Sequence, residues 1–275
     1  VTEKNWTVTG PQTIDVDGVT SLKLGIVGGR FDVVRHEEAV TQIEISEVAG
    51  DPVAVNLVNG RLEVRHQLHG AQGWFKNLMG AVNHNSNNSA VISIALPAGV
   101  QVEAGTVSGD GLVSGTGDQT RLATVGGSVM ADATTGELHI NTVNGEVIAR
   151  NHTGVLTAKS VSGEVTGSGH FSHIRANSIS GNMSFDLKGF TSDFGANSVS
   201  GDLTIRLPQD VGVDIIAKSA SGTVTIDDQQ YFQPGGKMEA IAGPDTRLML
   251  VRTNSVSGSM AILHSLSPAD SEAAL

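Results

Sequence analysis

The chain has 275 residues, among them 34 Gly, 7 Pro, 7 Phe, 2 Trp, 1 Tyr and no Cys, with a formal charge of −11. The missing cysteines exclude a disulfide scaffold, thiolate metal sites and a cysteine nucleophile, and the negative charge disfavours phosphate-backbone binding. Abundant glycine argues against a helical bundle, while Val, Ile and Leu spread along the chain argue against disorder.

The opening Val1-Thr2-Glu3-Lys4 shows no basic region followed by an apolar stretch, and no segment approaches the roughly 20 apolar residues of a membrane span. The expected compartment is therefore cytoplasmic, with the cell surface or secretion as the alternative. Residues 12–105 read as longer coils. Around Gly29 stand Leu22, Leu24, Val27, Phe31 and Val33, and around Gly60 stand Val53, Val55, Val58, Leu62 and Val64. Additional strands are expected over 41–45 and 91–96. Lys4, Lys23, Arg30, Arg35 and Arg61 read as scattered, without a basic patch, so no nucleic-acid partner is expected.

The segment 66–89 departs from the pattern. Trp74, Phe75, Leu78, Met79 and Val82 fall at spacings that suit a short amphipathic helix. This insertion is the first place to seek a contact with a partner or a membrane surface.

Residues 106–200 form regular coils marked by Thr106-Val107-Ser108-Gly109, Thr142-Val143-Asn144-Gly145, Ser160-Val161-Ser162-Gly163, Ser178-Ile179-Ser180-Gly181 and Ser198-Val199-Ser200-Gly201. From Gly109 to Gly181 the glycines recur every 18 residues. Longer coils follow over 201–264, marked by Ser219-Ala220-Ser221-Gly222 and Ser255-Val256-Ser257-Gly258, before a tail at 265–275 that reads as flexible. Aligned on the glycine, apolar residues alternate seven and five places before it (Leu138 and Ile140, Ile174 and Ala176) and two and four places after it (Val129 and Ala131, Leu203 and Ile205). Such period-2 alternation on both sides of a corner describes two strands with one buried face, and the glycine is expected at the corner because it adopts positive φ cheaply. Stacking such units gives a single all-β domain over 1–264, a single-stranded parallel β-helix of about ten coils, expected to be right-handed.

These serial Thr/Ser-Val-Ser-Gly-Asp/Glu-Val units, with the entry Asp15-Val16-Asp17-Gly18-Val19-Thr20-Ser21-Leu22, resemble a bacterial family of putative adhesins, also filed as a domain of unknown function. The resemblance runs from about residue 12 to 264 and implies single-domain β-helices without a catalytic motif.

Three candidate sites remain. Glu146 and Glu164 follow the corner glycine in adjacent coils, where paired carboxylates could bind a cation or cleave a glycan. His152, His170 and His173 fall at one level of two coils and could ligate a transition metal. The insertion offers Trp74, Phe75, Leu78 and Met79. No cofactor is expected. The preferred function is a non-enzymatic binding or assembly scaffold, adhesin-like by resemblance, whose partner is an unknown protein or glycan. Association of exposed end coils is a further option. The alternative is a carbohydrate-active β-helix enzyme, a polysaccharide lyase or hydrolase using carboxylates on the ladder face.

Overall fold

The computed structural model describes residues 3–66, 87–227, 229–231 and 236–265, and every regular element among them is a strand. The all-β, mostly parallel solenoid architecture expected from the repeat is present. The segment expected to form a helix, with Trp74, Phe75, Leu78 and Met79, lies outside the described residues. The chain divides into two compact units, Val1–Ile148 and Ala149–Leu275.

In the first unit one parallel ladder runs, in spatial order, through β7 (Arg61–His66), β3 (Ser21–Ile26), β9 (Gln101–Thr106), β11 (Gln119–Thr124) and β13 (Thr135–Thr142). A second runs through β8 (Ser89–Leu96), β4 (Gly28–Arg35), β10 (Asp110–Ser114) and β12 (Val129–Asp132). Alternate residues of each strand are buried. Leu22, Leu24, Leu62, Val64, Leu122 and Ile140 come from the first ladder, and Phe31, Val33, Ile92, Ile94 and Val113 from the second. Full burial of such a side chain contributes about 1.5–3 kcal/mol. Gly111 breaks the aliphatic column because the Phe31 ring fills its place: a Cβ there would lie 2.1 Å from Phe31 Cζ. Gly167 and Phe185 make the same exchange in the second unit, at 2.7 Å.

The alignment around Gly60 is corrected by the structure. Strand β6 (Val53–Val58) pairs antiparallel with β7 about Asn59 and Gly60, whose φ angles are 50° and 81°. That is a hairpin turn, in which two successive positive φ values match the twist of the flanking strands, and not a corner between coils. Beyond it, β6 pairs antiparallel with β1 (Glu3–Val8), while β5 (Thr41–Ala49) joins β8 to β2 (Gln12–Val16), also antiparallel. Both ladders of this unit thus end in antiparallel strands at this side. The outermost pair carries exposed Glu3, Lys4 and Asp15, charges that discourage another strand from adding to the edge.

The second unit repeats the plan. Strand β15 (Val165–Ser178) serves both ladders. Its C-terminal half leads to β17 (Asp193–Ser198), β23 (Leu248–Ser255) and β19 (Gly212–Ser219), all parallel, and then to antiparallel β22 (Gly236–Ala242). Its N-terminal half leads to β16 (Met183–Leu187), β18 (Leu203–Leu207), β24 (Met260–His264) and β20 (Val224–Ile226), then to antiparallel β21 (Gln229–Tyr231). The coil made of β23 and β24 therefore lies between two coils that precede it in sequence. Phe185 and Phe194 meet edge to face in this core, with centroids 5.3 Å apart.

The reason for the corner glycine also differs from expectation. Gly109, Gly127, Gly145, Gly163, Gly181, Gly201, Gly222 and Gly258 do not have positive φ. They are small because, within each unit, a corner stacks on the main chain of the neighbouring corner. A Cβ on Gly127 would lie 1.8 Å from Gly109 O, on Gly181 2.0 Å from Gly163 O, and on Gly222 2.1 Å from Gly258 O. The Ser or Thr three places earlier closes the turn: Thr142 Oγ1 donates to Gly145 O at 2.7 Å, Ser178 Oγ to Gly181 O at 2.7 Å and Ser198 Oγ to Gly201 O at 2.8 Å. The intervening Val or Ile points outward, with Val161, Ile179, Val199 and Val256 all exposed.

His66 ends β7 as a buried imidazole whose Nδ1 accepts the Val27 N–H at 3.4 Å. Burial holds it below the ordinary value of 6.5, against weaker upward pulls from the Ser89 backbone and the charge of Asp51. The unfolded chain protonates this group near 6.5, whereas the folded protein keeps it neutral. Its contribution is thus complete above about pH 6.5 and declines as pH falls through the depressed folded value. Urea midpoints of the parent and His66→Asn, compared from pH 7.5 to 5.0, should show a shallower acid decline in the variant. The difference cannot exceed about 1.4 kcal/mol per pH unit, and identical slopes would refute the assignment.

Candidate functional site

Three of the residues that follow a corner glycine are structural acceptors. Asp110 Oδ1 accepts the Ser128 N–H at 3.2 Å, Asn182 Oδ1 that of Asp202 at 3.0 Å, and Asp202 Oδ1 that of Ser259 at 2.9 Å. Short acidic and amide side chains recur here because each caps a main-chain donor of the neighbouring coil. Glu146 and Glu164 occupy this column with exposed side chains, Glu146 in the first unit and Glu164 in the second. Four places before the glycine, amides stack: Asn197 Nδ2 donates to Asn177 Oδ1 and Asn254 Nδ2 to Asn197 Oδ1, both at 2.8 Å.

The three histidines do not share a surface. His152 is fully buried with its ring 5.7 Å from Phe171, whereas His170 and His173 are exposed and His173 Nδ1 meets Ser192 Oγ at 3.0 Å. Asn151, at φ 53°, sits in a left-handed kink immediately before His152. Among the described residues no three His, Asp or Glu side chains are grouped to hold a metal ion.

The structure brings together residues that sequence reading left apart. Parallel register places Arg61, Ser21, Gln101, Gln119 and Glu137 in one outward row across β7, β3, β9, β11 and β13. The next row holds Glu63, Lys23, Glu103, Arg121 and His139. Ser21 is short and stands between the long Arg61 and Gln101, so the face is hollowed there into an open groove of about 210 Å³. Lys23, Arg61, Gln101, Glu103, Gln119 and Arg121 surround it. Lys23 Nζ lies 3.9 Å from Glu103 Oε1 with only 17% of its side chain exposed. Arg121 Nη1 donates to Gln119 Oε1 at 2.8 Å, and Gln119 Nε2 donates to Glu137 Oε2 at 3.3 Å. His139 Nε2 lies 3.5 Å from the same carboxylate oxygen.

Lys23 and Arg61, read as scattered, are therefore neighbours with Arg121 in one cluster. Aligning Gly60 as a corner put Arg61 in the wrong ladder; matching Leu62 to Leu22 and Val102 brings it beside Ser21. The groove offers fork-shaped and ammonium donors, amides and one carboxylate acceptor, a set suited to holding a polar ligand.

The chain matches the family described as Toastrack DUF4097 over residues 23–255. Among curated proteins none matches it significantly. It is similar to the crystal structure of a putative lipid binding protein from Parabacteroides distasonis, at 15% identity and TM-score 0.47, covering 94% of this chain and 95% of that one. A putative adhesin from Bacteroides fragilis is similar at 12% identity and TM-score 0.45, covering 94% and 96%. A putative cell adhesion protein from Clostridium sporogenes is similar at 15% identity and TM-score 0.31, covering 93% and 100%.

Proposed function

The chain belongs to the Toastrack DUF4097 family, and from that premise we propose that it is a non-enzymatic, adhesin-like β-solenoid scaffold that binds an extended polar ligand, of glycan type, on the outer face of its first unit. The observation that carries this reading is the groove at Ser21, where side chains from four parallel strands converge on one open surface. Ladder pairing fixes the spacing of those side chains at about 4.8 Å per strand, so the contact array is set by the fold before a ligand arrives. The acidic corner column supports a non-enzymatic role, because Asp110 and Asp202 are engaged with main-chain donors. Such a ligand is met at the cell surface or outside the cell, the second of the two compartments considered from sequence.

Binding of the full-length protein to a glycan array tests the proposal. Ser21→Tyr fills the hollow with an aromatic side chain and should abolish the bound set, while Glu146→Gln and Glu164→Gln should leave it unchanged. Cleavage of a bound glycan that is lost in either corner variant would restore the carbohydrate-active enzyme reading. Binding that persists in Ser21→Tyr would place the contact elsewhere.

A further inference from the structure

We infer that the groove selects a carboxylate-bearing sugar, the uronic-acid unit of an acidic polysaccharide, an inference that rests on the groove being the binding surface. Positive charge without a carboxylate partner collects at this groove. Among the described arginines of the first unit, Arg30 pairs with Asp32 at 2.9 Å, Arg35 with Glu37 at 3.7 Å and Arg65 with Glu63 at 3.4 Å. The two without a carboxylate partner, Arg61 and Arg121, both line the groove. In a chain of net charge −11, three cations and one carboxylate around one hollow form a local reversal of sign. Lys23 keeps its Glu103 partner at the long distance of 3.9 Å, and the nearby Glu63 and Glu137 are held by Arg65, Gln119 and His139. A ligand carboxylate can therefore take the guanidinium donors without first breaking an ion pair.

The remaining lining narrows the chemistry. A guanidinium presents its N–H groups in a planar fork that matches a carboxylate in two parallel bonds. Ser21, Gln101 and Gln119 supply donors and acceptors for sugar hydroxyls, and Glu103 accepts from a hydroxyl while repelling a second nearby anion. That carboxylate, inside a strongly acidic chain, works against dense polyanions such as nucleic acid or polyphosphate. Among the described residues no aromatic ring lines the groove, so none of them offers a face on which a neutral sugar can stack, and charge supplies the selection.

Calorimetric titration of the protein with a neutral-sugar oligomer bearing one uronic acid, its methyl ester and the same oligomer bearing one sulphate in place of the acid tests this. The free acid should bind, with the methyl ester and the sulphated oligomer each at least about tenfold weaker. Arg61→Gln and Arg121→Gln should each weaken acid binding by about tenfold, the size of one lost charge-assisted contact, with circular dichroism unchanged because both side chains lie on the surface. Arg61→Lys should restore part of the loss, since it keeps the charge without the fork. Equal binding of acid and ester, both abolished by Ser21→Tyr, would overturn the uronate inference while the glycan-binding groove stands. Tighter binding of the sulphated oligomer would overturn the carboxylate preference. Acid binding that survives Ser21→Tyr, or no binding of any of the three, would overturn the inference, and the first of these would overturn the groove reading with it.

Discussion

Gly127→Ala should cost about 3 kcal/mol or more, whereas Gly126→Ala, one residue earlier, should change stability by less than about 1 kcal/mol. A Cβ on Gly127 would lie 1.8 Å from Gly109 O and 2.8 Å from its carbonyl carbon, both main-chain atoms of the next coil. Main chain cannot step aside there as a flexible side chain could. Gly126 N donates to Val107 O at 2.8 Å, and the Thr124 hydroxyl is bonded to Gly127 O at 3.0 Å, so moving the corner disrupts several bonds together. A Cβ on Gly126 meets only Val107 O at 3.7 Å, an ordinary contact, and Gly126 has no positive φ to lose. Alanine there restricts the unfolded chain and is tolerated or mildly stabilising. Urea denaturation of the two variants checks the pair. Equal midpoints would show that the corners do not stack tightly enough to exclude a side chain.

Gly111→Val is expected to destabilise by about 2–3 kcal/mol, and the loss should be recovered in part when Phe31 is shortened in the same chain. Phe31 fills the space that a side chain at 111 would need, its nearest ring atoms lying 2.1, 2.4 and 2.7 Å from an added Cβ. Phe31→Ala alone leaves a cavity and should cost about 3–5 kcal/mol. In the double variant Gly111→Val/Phe31→Val, two medium residues share the volume of one large and one absent. The double variant should be more stable than the sum of the Gly111→Val and Phe31→Val losses by at least about 1 kcal/mol. Simple additivity would mean that the two positions are independent.

The strands were legible because period-2 burial survives in Leu22, Leu24, Leu138 and Ile140 whatever their neighbours. Pairing direction was not legible in the same way. Val53, Val55, Leu62 and Val64 alternate identically in a hairpin and in a coil, and both place a glycine between the two runs. That ambiguity hid the groove, since a strand assigned to the wrong ladder carries its outward residues with it. His152 was hidden differently. Constant spacing puts it level with exposed His170, yet it follows a left-handed Asn151 and lies buried against Phe171. Spacing counts residues, whereas side-chain direction depends on every φ in between. The amide column of Asn177, Asn197 and Asn254 needed only spacing, because identical side chains in register find one another by stacking.

The coil formed by β23 and β24 lies between β17/β18 and β19/β20, and this sets a timetable for the second unit. As the polypeptide leaves the ribosome, β19 and β20 emerge before the strands they will flank. They cannot dock directly on β17 and β18 without occupying the berth of the last coil. The edges of β17 and β18 acquire their native partners only once β23 and β24 have emerged, so among the described strands the native order is reached by insertion and not by extension. Loop closure over such distances is slow relative to the pairing of adjacent strands. Any truncation upstream of β23 removes the shared wall between two coils and strands the one beyond it.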